Sequence, residues 1–273
     1  MGQAVRARKR REHVLDDTTA TIDISDVAIT DVMSRGDVDE TLRLVLEGGI
    51  DPKSIQARQM LAMTKMRQRK FDEAKAMIST ILRTDPTDAL SMKMLGDVAF
   101  LTSNYADAIR WYSKSYDRAP DKHDTLHDKA VAMASAGKVH EALPVFEQAC
   151  VKAPGRADFV HHLAIMQVLA GYEAQGWANM DSRMAIAGIC GGYPRPEAYW
   201  KGEPLEGKTL VIRTEQGFGD TIMFMRYARL IFDMKPAKVY CYCQPEMMDF
   251  VAHFYRGVEV WNHKMPPPMD FDY

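Results

Sequence analysis

Glu215-Gln216-Gly217-Phe218-Gly219-Asp220 is the stretch of this chain whose residue types and spacing could do chemistry. Glycines let a backbone come close to a ligand. A helix that starts just after such a loop offers unpaired N–H groups and a field that favours an anion. The string lacks the third glycine of a dinucleotide fingerprint and the Gly-Lys-Ser/Thr of a phosphate-binding P-loop. From spacing alone, the plain reading is a tight turn with Asp220 capping the helix. Other polar groupings carry less. His123 and His127 lie four apart, but Asp124 stands where a metalloprotease helix needs Glu. No third ligand is evident, so no metal is expected. His161 and His162 are adjacent and point to different faces. Cys241 and Cys243 share one face of a strand, and their spacing to Cys150 and Cys190 fits no zinc ribbon. All four thiols read as reduced and mostly buried, consistent with a cytoplasmic protein.

The loop needs elements to hold it. Lys208-Thr209-Leu210-Val211-Ile212-Arg213-Thr214 reads as a buried strand, being short, apolar and β-branched. An apolar stretch from Thr221 to Phe232 has helical character, Lys238–Cys243 reads as a second strand, Glu246–Phe254 as a helix and Val258–Trp261 as a third strand. This alternation predicts a parallel sheet with right-handed crossovers. It puts the glycine loop at the carboxyl end of the first strand, where α/β folds place their chemistry. Upstream, Gly188, Gly191, Gly192, Pro194 and Pro196 interrupt the helical pattern.

Before that break the chain repeats. Pro52, Pro86, Pro120 and Pro154 fall at a constant interval of 34 residues. Ala74, Ala108 and Ala142 keep the same interval, as do Ala62, Gly96 and Ala130. This is the period of the tetratricopeptide repeat, a helix–turn–helix unit. The small residues mark where paired helices cross closely, and each proline ends a second helix. The spacing predicts repeats at 55–88, 89–122 and 123–156, with an atypical cap at 21–54 where Glu40 replaces the small residue. A fourth unit starts at Ala157 and is expected to drift off pattern at Gly176, with Gly188 where a proline would stand. The first helices carry Gln59, Met63, Met66, Lys93, Asp97, Phe100, His127 and Val131 on the expected concave face. Met63, Lys93, Asp97 and His127 are the expected contacts for a protein partner. No asparagine ladder like that of the O-linked N-acetylglucosamine transferases runs along this face: Met60 and Met63, Met94 and Asp97, Asp128 and Val131 stand there.

From about residue 157 onward the chain resembles bacterial proteins in which tetratricopeptide repeats run into a glycosyltransferase domain related to family 9, the heptosyltransferases. Gly176-Trp177, Arg183, the string from Tyr199-Trp200-Lys201-Gly202 through Lys208-Thr209-Leu210, the string from Glu215 to Phe224, and Arg226-Tyr227 carry that resemblance. It implies a GT-B fold, two Rossmann-like domains with the active site between them. It implies that Asp220 is the general base that activates an acceptor hydroxyl, with Gln216, Gly217, Gly219 and Thr221 shaping the pocket. A nucleotide-diphosphate sugar would be the donor in an intact relative, and no cofactor or metal is implied. About 70 residues follow Gly202, too few for two Rossmann halves when one βαβ unit takes about 30. This chain is therefore expected to hold half of the GT-B fold and not to transfer sugar alone.

The expected layout is a basic, disordered tail at 1–20, an α-solenoid of tetratricopeptide repeats at 21–187, a linker at 188–207 and a partial α/β Rossmann-like domain at 208–273. A formal net charge of −2 gives no push toward nucleic acid as the main partner. The cluster Arg6–Arg11 reads as a solvated tip. No run is apolar enough to span a membrane. The rival to the transferase reading is a non-catalytic interaction scaffold, or a part of a larger assembly, with self-association through an open sheet edge.

Overall fold

The computed structural model describes residues 33–186, 198–215, 217–262 and 271–273. The basic tail, Cys190, Gln216 and residues 188–197 of the expected linker lie outside the described residues. The chain forms two compact units, one ending at Thr125 and one beginning at Leu126.

The first unit is helical. It holds α1 (Val38–Glu47), α2 (Ile55–Arg67), α3 (Phe71–Thr84), α4 (Ala89–Leu101) and α5 (Tyr105–Arg118). Polar side chains start α2, α4 and α5 by accepting from otherwise unpaired N–H groups. Ser54 accepts from Ala57, Asp88 from Ser91 and Asn104 from Asp107. The crossing points are the small residues that the spacing marks: Ala62, Ala74 and Ala108 have no exposed surface. At Gly96 a Cβ would lie 2.6 Å from ring carbons of Tyr112, so only glycine fits. Ile78, Met94, Leu95 and Val98 pack around Ala62 and Ala74. Successive hairpins are also joined by polar contacts. Gln59 Nε2 donates to Asp88 Oδ2 at 2.7 Å, and within one hairpin Ser115 Oγ of α5 donates to the Ala89 carbonyl of α4 at 2.7 Å.

A second 34-residue rhythm lies in the backbone. Arg69, Ser103, Gly137 and Gly171 all take positive φ, at 60°, 60°, 80° and 87°. At each of these turns the next residue's N–H reaches back five residues, as Lys70 to Lys65, Asn104 to Ala99, Lys138 to Met133 and Tyr172 to Gln167. This is the Schellman ending, which satisfies the last carbonyls of a helix and needs a left-handed residue. Each first helix thus stops by the same device. Two repeats use glycine there and two do not.

The second unit opens within α6 (His123–Ser135) and continues through α7 (Val139–Lys152), α8 (Ala157–Leu169) and α9 (Glu173–Met180) to a 3₁₀ turn at Asp181–Ala185. Ala130, Ala142, Leu143, Phe146 and Leu163 form one core cluster. The expected drift at Gly176 does not occur. Gly176 stands 34 residues after Ala142, and a Cβ there would meet the Ala164 carbonyl at 2.9 Å and Val168 Cγ2 at 2.5 Å. The fourth hairpin closes as the others do, with glycine where they have alanine. It shortens instead at its end, since α9 has 8 residues against 14 in α7.

The same unit holds a sheet of β1 (Thr209–Arg213), β2 (Lys238–Cys243) and β3 (Val258–Asn262), in that spatial order and parallel throughout. Leu210 pairs with Val239, and Val239 with Val258. Central β2 is buried from Val239 to Cys243, as a strand with neighbours on both edges should be. The expected helix over Thr221–Phe232 is two short ones, α10 (Phe218–Met225) and α11 (Ala228–Asp233), joined by a tight turn in which the Tyr227 N–H bonds to the Phe224 carbonyl. Helix α12 (Met248–Phe254) leads to β3. Cys241 and Cys243 are fully buried beside Met225, Met247 and Val251. Burial pushes the Cys241 thiol up to about 12.

Phe271–Tyr273 run along the edge of β1 that β2 leaves open. The Tyr273 N–H bonds to the Thr209 carbonyl, and the Val211 N–H bonds to the Tyr273 carbonyl at 2.7 Å. That alternation is parallel pairing, with Tyr273 opposite Leu210. The Asp272 carboxylate locks it, accepting from Thr209 N at 2.8 Å and Lys208 Nζ at 3.0 Å. β1 therefore has parallel partners on both sides.

Gly96→Ala should cost about 1–3 kcal/mol, since the Tyr112 ring must move, and Gly137→Ala should cost about 1 kcal/mol for the left-handed backbone. Ser103→Gly should be neutral or mildly stabilising. Urea unfolding midpoints of the three variants check this ranking.

Candidate functional site

The loop after β1 is held from both ends. On the strand side, Glu215 is largely buried, at 17% side-chain exposure, and pairs with Arg183, at 20%. Arg183 Nε donates to Glu215 Oε2 at 2.9 Å and Nη2 to Oε1 at 3.4 Å. Arg183 Nη1 also donates to the Met180 carbonyl at 3.2 Å and to Asp181 Oδ1 at 3.4 Å. Burial works against the arginine's charge, and the Glu215 carboxylate overrides it, so the guanidinium stays charged beyond its usual range. Tyr199 Oη donates to Asp181 Oδ1 at 3.4 Å, and burial pushes its phenol up. His161 lies in the same field, its pKa lowered by burial and then by the Arg183 charge.

On the helix side, the buried Gln244 just after β2 collects two hydroxyls. Thr214 Oγ1 donates to Gln244 Oε1 at 2.9 Å and Thr221 Oγ1 donates to the same oxygen at 3.2 Å. Thr221 is buried, so it is part of the floor beneath the loop. Between these two anchors Gly217, Phe218, Gly219 and Asp220 are exposed. Asp220 is on the first turn of α10, where its Oδ2 accepts from the Gly217 N–H at 3.4 Å. That is a capping arrangement with Gly217 as the cap, and Asp220 reaches back from inside the helix. The contact is long and leaves the carboxylate at the surface. Gly219 has open space around its absent Cβ. Next to it α10 exposes Phe218, Ile222, Met223 and Phe224. Gln216 lies outside the described residues.

The expected partner residues on the repeats differ in exposure. Met63 is half-buried against the cores of the first unit. Lys93 and Asp97 are part-exposed, at 25% and 27%, and joined at 3.1 Å. Tyr112 Oη donates to the same Asp97 oxygen at 2.8 Å, which fixes the carboxylate in place. His127 is buried. Its ring stacks on Phe159 at 4.2 Å between centroids, and its Nε2 lies 2.8 Å from His162 Nδ1. The structure makes it a packing residue that joins α6 to α8. Among the described residues no three His, Cys, Asp or Glu side chains are grouped to hold a metal, and no helix is long and apolar enough to cross a membrane.

Sequence reasoning missed Arg183 as a partner for Glu215, because 32 residues and a change of fold separate them. It also missed Gln244, which lies outside every motif.

Residues 60–123 match the family model described as tetratricopeptide repeat. The chain carries tetratricopeptide repeats. It is 30% identical over 183 residues to Protein FlbA from Caulobacter vibrioides, which covers 63% of this chain and 30% of that protein. The chain thus spans less than a third of that relative's length. Among solved structures, MamA is similar with a TM-score of 0.47 at 18% identity, over 57% of this chain and 92% of that one. YrrB, described as a TPR protein with an unusual peptide-binding site, is similar with a TM-score of 0.45 at 17% identity, over 58% of this chain and 82% of that one.

The His127–His162 contact predicts a pH effect. One ring must donate and the other accept, so the pair cannot hold a proton on both facing nitrogens. Burial lowers the His162 pKa, as do the charges of His127 and then His161, against opposing Asp158 and Asp128. An unfolded histidine takes up its proton near pH 6.5. Below that pH the unfolded chain binds a proton that the folded one resists, so stability falls with pH. Urea unfolding at pH 7.5 and 5 should show a larger loss for the wild type than for His162→Gln.

Proposed function

We propose that this chain recruits a polypeptide partner through its repeats and presents a ligand loop, Glu215–Thr221, at the end of its α/β module. The observation that carries the second part is the double-sided parallel pairing of β1. In open α/β sheets, ligands bind outside the carboxyl ends of the strands at the point where the connections diverge. With Phe271–Tyr273 on one side and β2 on the other, β1 is such a point, and the exposed Gly217–Asp220 turn sits at its carboxyl end. This supports reading the module as Rossmann-like, one half of a GT-B glycosyltransferase.

On this reading Asp220 accepts the proton of an acceptor hydroxyl as that oxygen bonds to the anomeric carbon of a nucleotide-diphosphate sugar, and the carbon–oxygen bond to the diphosphate breaks, with the nucleoside diphosphate leaving with the electron pair. Gly217 and Gly219 leave room for the acceptor, and Thr221 holds the turn from beneath. The donor is held by a second half that the described residues do not include. On the repeats, Lys93 and Asp97 are the part-exposed polar pair offered to the partner, together with the half-buried Met63. His127 serves packing rather than contact. We place the protein in the cytoplasm, with reduced thiols.

A second reading is an interaction scaffold without catalysis. The Asp220–Gly217 capping contact favours it, because it gives the aspartate a structural use.

The test is sugar transfer or donor hydrolysis by the full-length protein with UDP-, GDP- and ADP-linked sugars. Asp220→Asn keeps a capping oxygen but cannot take a proton, and should lower turnover by about 10²–10⁴. Gly219→Ala should leave stability unchanged or raise it by up to ~1 kcal/mol, yet weaken ligand binding if the backbone is approached there. An inactive wild type, with partner capture lost in the Lys93→Ala/Asp97→Ala variant, would establish the scaffold instead.

A further inference from the structure

We infer that Arg183 is the positioning residue of the ligand loop: the last turn of the helical repeats latches the loop by the Arg183–Glu215 pair. The inference rests on the ligand-loop reading for what the latch serves, but not for its existence.

Four observations lead there. Glu215 is the last residue of the β1 side, two before Gly217, and nothing in a parallel sheet obliges a carboxylate to be buried there. It is nonetheless largely withdrawn from solvent, and a buried charge must be paired. The pairing is two-pronged, through Nε and Nη2, a geometry that fixes direction as well as distance. Finally, Arg183 is itself held. Its remaining donor group is turned to the Met180 carbonyl and Asp181, and Asp181 is touched by Tyr199 from the segment that leads into β1. The arginine therefore has little freedom to follow the loop, and the loop must take its position from the arginine.

Glu215 has a consequence of its own. Both its oxygens accept from the guanidinium, which ties the carboxylate to Arg183. Its work is to hold the start of the turn, while Thr214, Thr221 and Gln244 hold the end. Removing the latch should free the Glu215–Asp220 turn without loosening the sheet, which is paired independently through β2.

Hydrogen–deuterium exchange of the full chain tests this without any sugar. In Arg183→Gln, peptides covering 214–225 should exchange about tenfold faster or more, since a pair broken on one side leaves an unpaired buried charge. Peptides from 89–118 should be unchanged. Arg183→Lys, which keeps the charge and loses the fork, should give an intermediate rate. The charge swap Arg183→Glu with Glu215→Arg should restore most of the protection. Unaltered exchange in a folded Arg183→Gln protein overturns the inference. So does acceleration spread over the repeats that the swap fails to reverse, for Arg183 would then only support the fold. A failed Asp220 assay leaves the latch standing, and a failed latch leaves the Asp220 assay standing.

Discussion

Two helices can approach only as closely as the side chains between them allow, and the hairpins here depend on that limit. At Gly96 the facing Tyr112 ring takes the space that any Cβ would need. At Gly176 the facing atoms include a backbone carbonyl, which cannot turn aside. Alanine fills the equivalent place elsewhere and is always fully buried. Once these contacts fix the spacing within a hairpin, the larger residues around them have defined room. Ile78, Met94, Phe146 and Phe159 then fill it completely. The hydrophobic gain comes from those large side chains, but the small ones decide where it can be collected.

The α/β module obeys a different rule. Its strands are short, and its stability depends on each backbone edge finding a partner. β2 has one on both sides and carries the most buried residues. β1 gains its second partner from Phe271–Tyr273, with Asp272 bonded to the first strand residue and to Lys208. This pairing gives β1 a hydrogen-bonded neighbour on each side just before the glycine turn.

Much of this is legible from residue spacing. The prolines and the small residues at crossings repeat at one interval, and a side chain's size at a crossing is a local property that sequence displays directly. β2 is equally plain, since its alternating aromatic and thiol residues have no helical reading. The left-handed helix endings are half visible. Gly137 and Gly171 show them, but Arg69 and Ser103 adopt the same backbone with no glycine to announce it. Gly176 misleads, because the irregular glycines and prolines beyond it mask its regular distance from Ala142. Of the loop's supports only Thr221, which adjoins the motif, is legible. Arg183 and Gln244 act across folds of the chain, and an arginine or a glutamine in isolation does not reveal its partner. His127 reads as a surface contact because its spacing puts it on a first helix, whereas aromatic stacking on Phe159 claims it for the interior.

The two thiols of β2 lie side by side on one face, sealed under α10 and α12. No reagent reaches them while the sheet is covered, and burial keeps the Cys241 sulfur protonated at neutral pH. The module therefore carries its own clock. The rate at which an alkylating reagent consumes these sulfurs measures how often the helical cover lifts, in a part of the molecule where no dye or label need be introduced.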